Sequence, residues 1–241
     1  MKKYSAVALR FMGLALLTAA GLTPTAFAGS VILDGGFETP VLPPGGFNTG
    51  YQLYYIGQSL GAWTVVGPAG GDVALYQDTE TSGSPVTPLN VVDGIQAVDL
   101  TGDLNNGDPY GLSQSFATNA GDTYSLSFWV GNYLNQDASV AVDLNGSLFQ
   151  IATNPSPTSG YVTLWEEFSY SFTAAASTTT LAFLNHGVPG TNQTSLDAIS
   201  VTDTTPSSTP EPSTLGLIGL GLAAVGVIRS RRGRPFGRPL E

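Results

Sequence analysis

The sequence has no cysteine, a single histidine, and no lysine or arginine between residues 29 and 209. The missing cysteine excludes disulfide bonds and thiolate chemistry, so the stability of an exported domain must come from core burial and backbone hydrogen bonds. The single histidine leaves few routes to general-base catalysis. The missing cations mean that no carboxylate of the central region can pair with a lysine or arginine of that region.

All eight basic residues lie in two terminal clusters, three near the N-terminus and five near the C-terminus. Two of the 18 acidic residues, Glu211 and Glu241, lie in the C-terminal tail, which leaves 16 acids within residues 29–209. A domain with that charge repels phosphate groups, so nucleic acid is excluded as a partner.

The N-terminus has the three parts of a secretory signal peptide. Basic residues precede the apolar run Phe11–Leu22, and Ala26-Phe27-Ala28 follows as a small-x-small cleavage site. This order predicts a signal peptide over residues 1–28, removed by signal peptidase so that Gly29 becomes the first mature residue. The alternative is a retained anchor, for which the apolar run is short, because a spanning helix needs about 20 residues.

Three further elements follow one another at the C-terminus. Residues 204–209 form a Pro/Ser/Thr linker, too polar to fold by itself. The motif Pro210-Glu211-Pro212 comes next, followed by an uncharged, glycine-rich stretch over residues 213–228 and an arginine-rich tail over residues 229–241. The apolar stretch is predicted to cross the membrane, with the basic tail in the cytoplasm and the central region outside.

This tripartite tail resembles the PEP-CTERM sorting signal of exopolysaccharide-producing Gram-negative bacteria. The resemblance implies that an exosortase-type membrane enzyme recognises the tail and removes it next to Pro210-Glu211-Pro212. It also implies export through the inner membrane, a transient membrane anchor, and a final place at the cell surface or in the extracellular matrix. An ordinary single-pass anchor is the alternative.

Residues 29–203 predict one all-β domain, because short alternating runs recur between Gly, Pro, Asn and Asp clusters and no helical period appears. The alternation is clearest where Tyr124, Leu126 and Phe128 share one face and Ser125 and Ser127 share the other. Such strands indicate a jelly-roll β-sandwich. They are predicted near Val31–Leu33, Ala62–Val66, Val73–Gln77, Ile95–Leu100, Gly111–Ala117, Thr123–Val130, Ser139–Leu144, Leu148–Ile151, Tyr161–Phe172, Thr179–Leu184 and Ser195–Thr202.

A second resemblance covers most of this domain. The segment Asp34-Gly35-Gly36-Phe37-Glu38-Thr39-Pro40 is similar to the opening motif of galactose-binding-like and carbohydrate-binding jelly rolls, and of choice-of-anchor domains. Later pieces agree in order, among them Gly121–Phe128 and Ser195–Val201. The resemblance implies a structural Ca²⁺ ion held by an N-terminal glutamate and a C-terminal aspartate, and Glu38 and Asp197 occupy those positions.

The strand that carries Asp197 also predicts that this carboxylate is buried. If Ile199 and Val201 face the core, the two-residue period of a strand places Asp197 on the core side too. A buried carboxylate needs backbone N–H donors, a proton or a metal ion, and all three alternatives are open. Calcium takes six to eight oxygen ligands, so backbone carbonyls would complete a site of this kind. Residues 99–108 are also rich in oxygen ligands, although such residues are equally typical of turns.

A sugar site needs aromatic platforms beside polar amides. Trp129, Asn132 and Tyr133 form one such group, and Trp165 adds a second indole ring, so these four are the predicted carbohydrate-binding residues. The segment 45–55, rich in Tyr and Phe, is interpreted as an aromatic loop. The alternative is that these rings belong to the core, as most aromatic side chains on strands do.

Catalysis is not expected. Glu166 and Glu167 are adjacent on a predicted strand and therefore point to opposite faces, whereas a glycosidase needs two facing carboxylates. His186 lies in an Asn-His-Gly turn, and no nucleophile elbow precedes a helix. The sequence therefore predicts a non-enzymatic exported protein of the cell surface or exopolysaccharide matrix, with a structural or adhesive role. The alternative is a carbohydrate-binding module for a specific extracellular glycan.

Overall fold

The computed structural model describes residues 29–43, 51–78, 81–82, 87–88, 90–104, 106–133, 137–155, 163–190 and 193–206. The predicted signal peptide, the sorting motif with its apolar stretch and basic tail, and the second half of the predicted linker lie outside these residues. Within these ranges, no helix is long and apolar enough to cross a membrane.

The described residues form two stacked antiparallel sheets of six strands each and a small two-stranded ribbon. The first sheet has the order β1 (Tyr51–Tyr55), β4 (Asp72–Gln77), β7 (Gln96–Asp99), β14 (Thr194–Asp203), β9 (Thr123–Asn132) and β12 (Leu164–Thr173). The second has the order β11 (Ser147–Asn154), β10 (Ala138–Leu144), β13 (Thr178–Asn185), β8 (Gly111–Ala117), β3 (Trp63–Val66) and β2 (Ser59–Leu60), and the ribbon pairs β5 (Thr81–Ser82) with β6 (Thr87–Pro88). This arrangement confirms the predicted all-β jelly-roll sandwich.

Two local predictions are wrong. The strand predicted at Val31–Leu33 is a bent segment whose backbone bonds β14 through Val31 N and Val201 O (2.8 Å), while Leu33 bonds the Gln114 side chain. Conversely, β1 lies inside the segment that was interpreted as an aromatic loop. The sequence of β1 shows no alternation of apolar and polar residues, because aromatic rings occupy both faces of the strand. Tyr54 lies in the main core, and Tyr51 lies in a second cluster outside the first sheet.

A chain of aromatic rings joins the N-terminal segment to both sheets. Phe37 packs on Trp63, with ring centroids 5.8 Å apart, and Trp63 packs on Phe183 at 6.1 Å. Phe183 then meets Phe128 of the opposite sheet edge-to-face at 4.8 Å. The Trp63 Nε1–H also donates to the Asp34 carbonyl oxygen at 2.9 Å, which satisfies the one polar group of a fully buried indole.

Two buried glutamine side chains fasten the N-terminal segment to the first sheet. The Gln96 side chain accepts from Leu42 N (2.6 Å) and donates to the carbonyl oxygens of Phe37 (2.6 Å) and Pro40 (3.0 Å). Gln77 Nε2 donates to the Leu42 carbonyl oxygen. These amides satisfy backbone groups that would otherwise be buried without partners.

β14 contains an irregularity that overturns the expected orientation of Asp197. Leu196 and Val201 both face the core. In a regular strand they would lie on opposite faces, because an odd number of positions separates them. Between Asp197 and Ser200 the strand advances three residues while its partner β9 advances two, and Ala198 has a φ of 52°. This β-bulge puts Asp197 on the outer face of the first sheet.

Candidate functional site

One row of paired residues crosses the outer face of the first sheet. Residues at one register position of neighbouring antiparallel strands lie side by side on the same face. From β4 across the sheet to β12, the row consists of Ala74, Asp99, Ser195, Gly131 and Trp165. Small side chains thus occupy the middle of this face, with an acid on one side and an indole ring on the other.

A cleft of about 180 Å³ opens at the β1–β4–β7 end of this row. Its lining residues, which define the edge cleft, are Tyr51, Ala74, Tyr76, Asp99, Gly102, Asp103 and Gln193. Two hydrogen bonds orient its walls. Tyr51 Oη–H donates to Asp103 Oδ1 at 3.2 Å, and Tyr76 Oη–H lies 3.0 Å from Ser195 Oγ.

The edge cleft is continuous with an aromatic cluster on the same face. Tyr76, Ala97 and Tyr133 form its buried centre, and Tyr51 and Trp165 are partly buried against it. The Trp165 Nε1–H donates to the Asn90 carbonyl oxygen at 3.2 Å. The Trp165 ring also covers Gly131, since a Cβ atom there would lie 3.0 Å from Trp165 Cε3 and even closer to the Thr163 and Ser195 side chains. Glycine is therefore needed beneath the indole.

The four predicted carbohydrate-binding residues do not lie together. Trp129 and Trp165 are half-buried on the outer face of adjacent strands, and Tyr133 is largely buried in the aromatic cluster. Asn132 is fully buried on the other side of β9, where its Nδ2 donates to the Asn154 carbonyl oxygen at 3.0 Å. The amide expected beside the rings is thus part of the domain interior.

Sequence reasoning missed the residues that form the edge cleft. Tyr51 belongs to the segment interpreted as a loop, and Asp99 and Asp103 belong to the oxygen-rich stretch interpreted as a turn. The signal that could have joined them is pairing of that aromatic segment as a strand beside β4, which a single sequence does not reveal.

Asp99 is the most deeply buried acid of the edge cleft. Its Oδ1 accepts from Thr101 N at 2.8 Å and from Thr101 Oγ1 at 2.6 Å. Burial raises the pKa of the Asp99 carboxyl to about 7, and the nearby Asp72 charge acts in the same direction, although the bonds from Thr101 oppose it.

Asp72 supports the rim of the cleft from beneath. Its Oδ1 accepts from Asp103 N at 2.8 Å, which fixes the turn that carries the Asp103 side chain. Burial raises the pKa of the Asp72 carboxyl, and the negative charge of Asp103 raises it further. Three acids are therefore grouped at one end of the sheet.

Asp197, beside Trp129 in the strand pairing of the first sheet, is held by backbone amides. Its Oδ2 accepts from Val92 N (2.7 Å) and Asp93 N (3.0 Å), and its Oδ1 accepts from Ala198 N (2.7 Å). Burial raises the pKa of the Asp197 carboxyl to about 7, and these three bonds lower it. Backbone N–H donors are thus the partners that the structure provides.

Glu38 accepts hydrogen bonds from backbone N–H groups at the other end of the same loop. Its Oε1 accepts from Ile95 N at 2.8 Å and from Gln96 N at 2.9 Å. Together Glu38 and Asp197 form a carboxylate clamp, which holds the loop over residues 92–96 by its backbone N–H groups. No three His, Cys, Asp or Glu side chains within the described ranges are grouped to hold a metal ion. Calcium takes six to eight oxygen ligands, and the partners observed at Glu38 and Asp197 are backbone N–H donors.

The residues considered for catalysis remain apart. Glu166 and Glu167 are both exposed on β12 and pair with Val130 and Trp129, so their side chains leave opposite faces of the sheet. His186 is exposed where the chain leaves β13. This geometry brings neither glutamate to face a second carboxylate.

The raised pKa of Asp99 predicts a pH-dependent stability. Because the folded pKa is about 7 and the ordinary value is 3.8, the native state keeps a proton that the unfolded chain releases. The contribution of this proton to the free energy of unfolding is therefore present in acid and is lost as the pH rises through about 7. We expect Asp99→Asn, which keeps the Oδ1 acceptor for Thr101, to raise the unfolding free energy at about pH 8 by on the order of 2 kcal/mol, with a smaller gain at about pH 5.

Urea denaturation at the two pH values measures this difference. Asp137→Asn removes the same charge from an exposed position and is the matched control. An equal effect of both variants at both pH values would show that net charge, rather than burial of Asp99, governs the pH dependence.

Solved structures with this fold include enzymes. A cyclase from Fischerella sp. TAU, in complex with 4-(1H-indol-3-yl)butan-2-one, has a TM-score of 0.52 at 12% identity, over 75% of this chain and 99% of that one. An apo form of a cyclase from Fischerella sp. gives 0.51 at 14% identity, over 75% and 98%. The carbohydrate-binding module TmCBM61, in complex with β-1,4-galactotriose, gives 0.37 at 17% identity, over 71% and 97%, which is too low to support a conclusion. The cyclases share the fold, and their identity is too low to indicate more.

The sequence itself matches two known patterns, whereas no curated protein matches it significantly. Residues 208–232 match the PEP-CTERM protein-sorting motif, which confirms the resemblance of the tail. The motif implies export in bacteria, membrane-associated sorting towards the cell surface, and processing by exosortase. Residues 30–201, more than half of the chain, match the family described as "Protein of unknown function (DUF642)". The chain therefore belongs to the DUF642 family.

Proposed function

We propose that this protein is a non-enzymatic component of the cell surface or exopolysaccharide matrix, and that its sandwich domain adheres to polysaccharide at the edge cleft. The sorting motif supports the destination, since it implies export and sorting towards the cell surface. The observation that carries the adhesive role is the continuity between a polar cleft and an aromatic cluster on one sheet face.

The chemistry of this face suits a sugar. Tyr51 and Trp165 are only partly buried, so part of each ring is available to pack on the C–H surface of a pyranose. The carboxylate of Asp103 is exposed at the rim and the Gln193 amide lies in the lining, where both can hydrogen-bond sugar hydroxyls. A few polar groups beside aromatic rings are the usual composition of ligand sites.

The Fischerella cyclases raise the alternative of an enzyme for a small molecule. The non-enzymatic proposal is supported by the position of the candidate groups. Asp99 is the one deeply buried acid that lines the cleft, and its Oδ1 is already engaged by Thr101. His186 and the exposed pair Glu166 and Glu167 are not among the residues that line the cleft.

Glycan binding to the full mature protein tests the adhesive role. We expect Tyr51→Ala and Trp165→Ala each to weaken binding of a glycan retained by the wild type about tenfold, because each removes one stacking ring. Tyr55→Ala is the matched control, since Tyr55 is an exposed tyrosine on the same face of β1 away from the cleft. Retention of no glycan at millimolar concentration, measured on an array and by calorimetry, would contradict the proposal.

Sorting is tested by the intact mass of the secreted protein. We expect ends near Gly29 and near Pro210, and we expect replacement of Pro210-Glu211-Pro212 by alanines to leave the arginine-rich tail on a membrane-bound protein. Secreted wild-type protein that still carries its tail would refute processing by exosortase.

The calcium site at Glu38 and Asp197 stays a prediction of the resemblance. Because backbone N–H groups already bind both carboxylates, we expect equal melting temperatures in millimolar calcium and in excess chelator. A rise that saturates with calcium, and that Asp197→Asn abolishes, would instead establish the metal site. Asp203→Asn, which changes the last residue of the same strand, is the control.

A further inference from the structure

We propose that the edge cleft selects polysaccharides that carry free amino groups, such as polymers of deacetylated hexosamine, over neutral and anionic polysaccharides. This inference rests on the proposed function and names the class of ligand. It comes from three features of one cleft, namely its uncompensated acids, its Tyr51 ring and the hydrogen bond that joins this ring to an acid.

The acids of the cleft have no cation to neutralise them. Asp99 lines the interior, Asp103 is exposed at the rim, and Asp72 lies beneath the Asp103 backbone. Residues 29–209 contain no lysine or arginine, so no basic side chain of this region reaches the cleft. A concave site lined by one sign of charge attracts ligands of the opposite sign.

The Tyr51 ring strengthens the preference for an ammonium group. Tyr51 lines the cleft and is only partly buried, and an aromatic face attracts a cation placed over it. Tyr51 Oη–H also donates to Asp103 Oδ1, so the ring and the carboxylate are held together at the mouth. An ammonium group there meets a ring face and an acceptor oxygen at once.

The same features disfavour acidic sugars. A uronate, sulfate or phosphate group entering the cleft would meet the exposed carboxylate of Asp103 at the rim, and like charges repel. Neutral sugars keep the stacking contacts with Tyr51 and Trp165 but gain nothing from the carboxylates beyond ordinary hydrogen bonds. The order of affinity is therefore cationic, then neutral, then anionic.

Calorimetry at neutral pH with three oligosaccharides of equal length tests this order on the full mature protein. The probes are β-1,4-linked glucosamine, β-1,4-linked N-acetylglucosamine and galacturonate. We expect glucosamine to bind about fivefold more tightly than its N-acetylated counterpart, galacturonate to bind most weakly, and the preference to fall with added salt.

Asp103→Asn separates charge from shape, because it keeps an acceptor oxygen for Tyr51 and removes the rim charge. We expect this variant to lose the preference for glucosamine, so that its affinities for glucosamine and N-acetylglucosamine become equal. Asp143→Asn, on β10 of the other sheet, changes the net charge equally and is expected to keep the preference.

Each outcome decides between the two levels of the proposal. Equal affinity for glucosamine and N-acetylglucosamine, or tighter binding of galacturonate, would overturn the amino-sugar inference and leave the adhesive function standing. Equal losses in Asp103→Asn and Asp143→Asn would show a general charge effect and would also overturn the inference. Binding of none of the three, nor of any glycan on an array, would overturn the proposed function itself.

Discussion

The structure depends on how buried carboxylates are satisfied in a domain without lysine or arginine. The backbone is the main source of donors, and the carboxylate clamp shows the result, because Glu38 and Asp197 each bind two successive N–H groups of one loop. Charge-assisted bonds of this kind are among the stronger hydrogen bonds in proteins. They join the opening segment, the loop before β7 and the bulge of β14 into one unit.

The same constraint gives the edge cleft its character. Asp99 and Asp72 are also supported by backbone N–H donors, yet burial still raises the pKa of both carboxyls. In a domain with basic side chains such acids would find ion-pair partners. Here residues 29–209 offer no basic side chain as a partner, so the feature that limits stability above neutral pH is also the feature from which the ligand class is inferred.

The fold followed from the sequence where one face of a strand is uniformly apolar. Tyr124, Leu126 and Phe128 on β9 are an example, because their burial requires the alternation that the sequence displays. The prediction was wrong where both faces of a strand are covered, as in β1, whose rings pack on the core on one side and on the aromatic cluster on the other. It was also wrong for the face of Asp197, because a bulge at Ala198 changes the two-residue period without any glycine to announce it. Of the predicted carbohydrate-binding residues, Trp165 packs against the aromatic cluster, as its exposed strand face suggested. Asn132 was assigned to the outer face of β9, whereas the alternation of the strand puts it on the inner face.

β14 lies at the centre of the first sheet, paired with β7 and β9, and it is the last strand of the described residues. Its own ladder and the bond from Val31 N to Val201 O keep the entry and exit of the chain together. A force applied at the C-terminal end of β14, in the direction of the strand, shears this strand against both neighbours. Because such a force acts on all the rungs of both neighbouring ladders at once, instead of opening them one after another, the domain is built to resist traction.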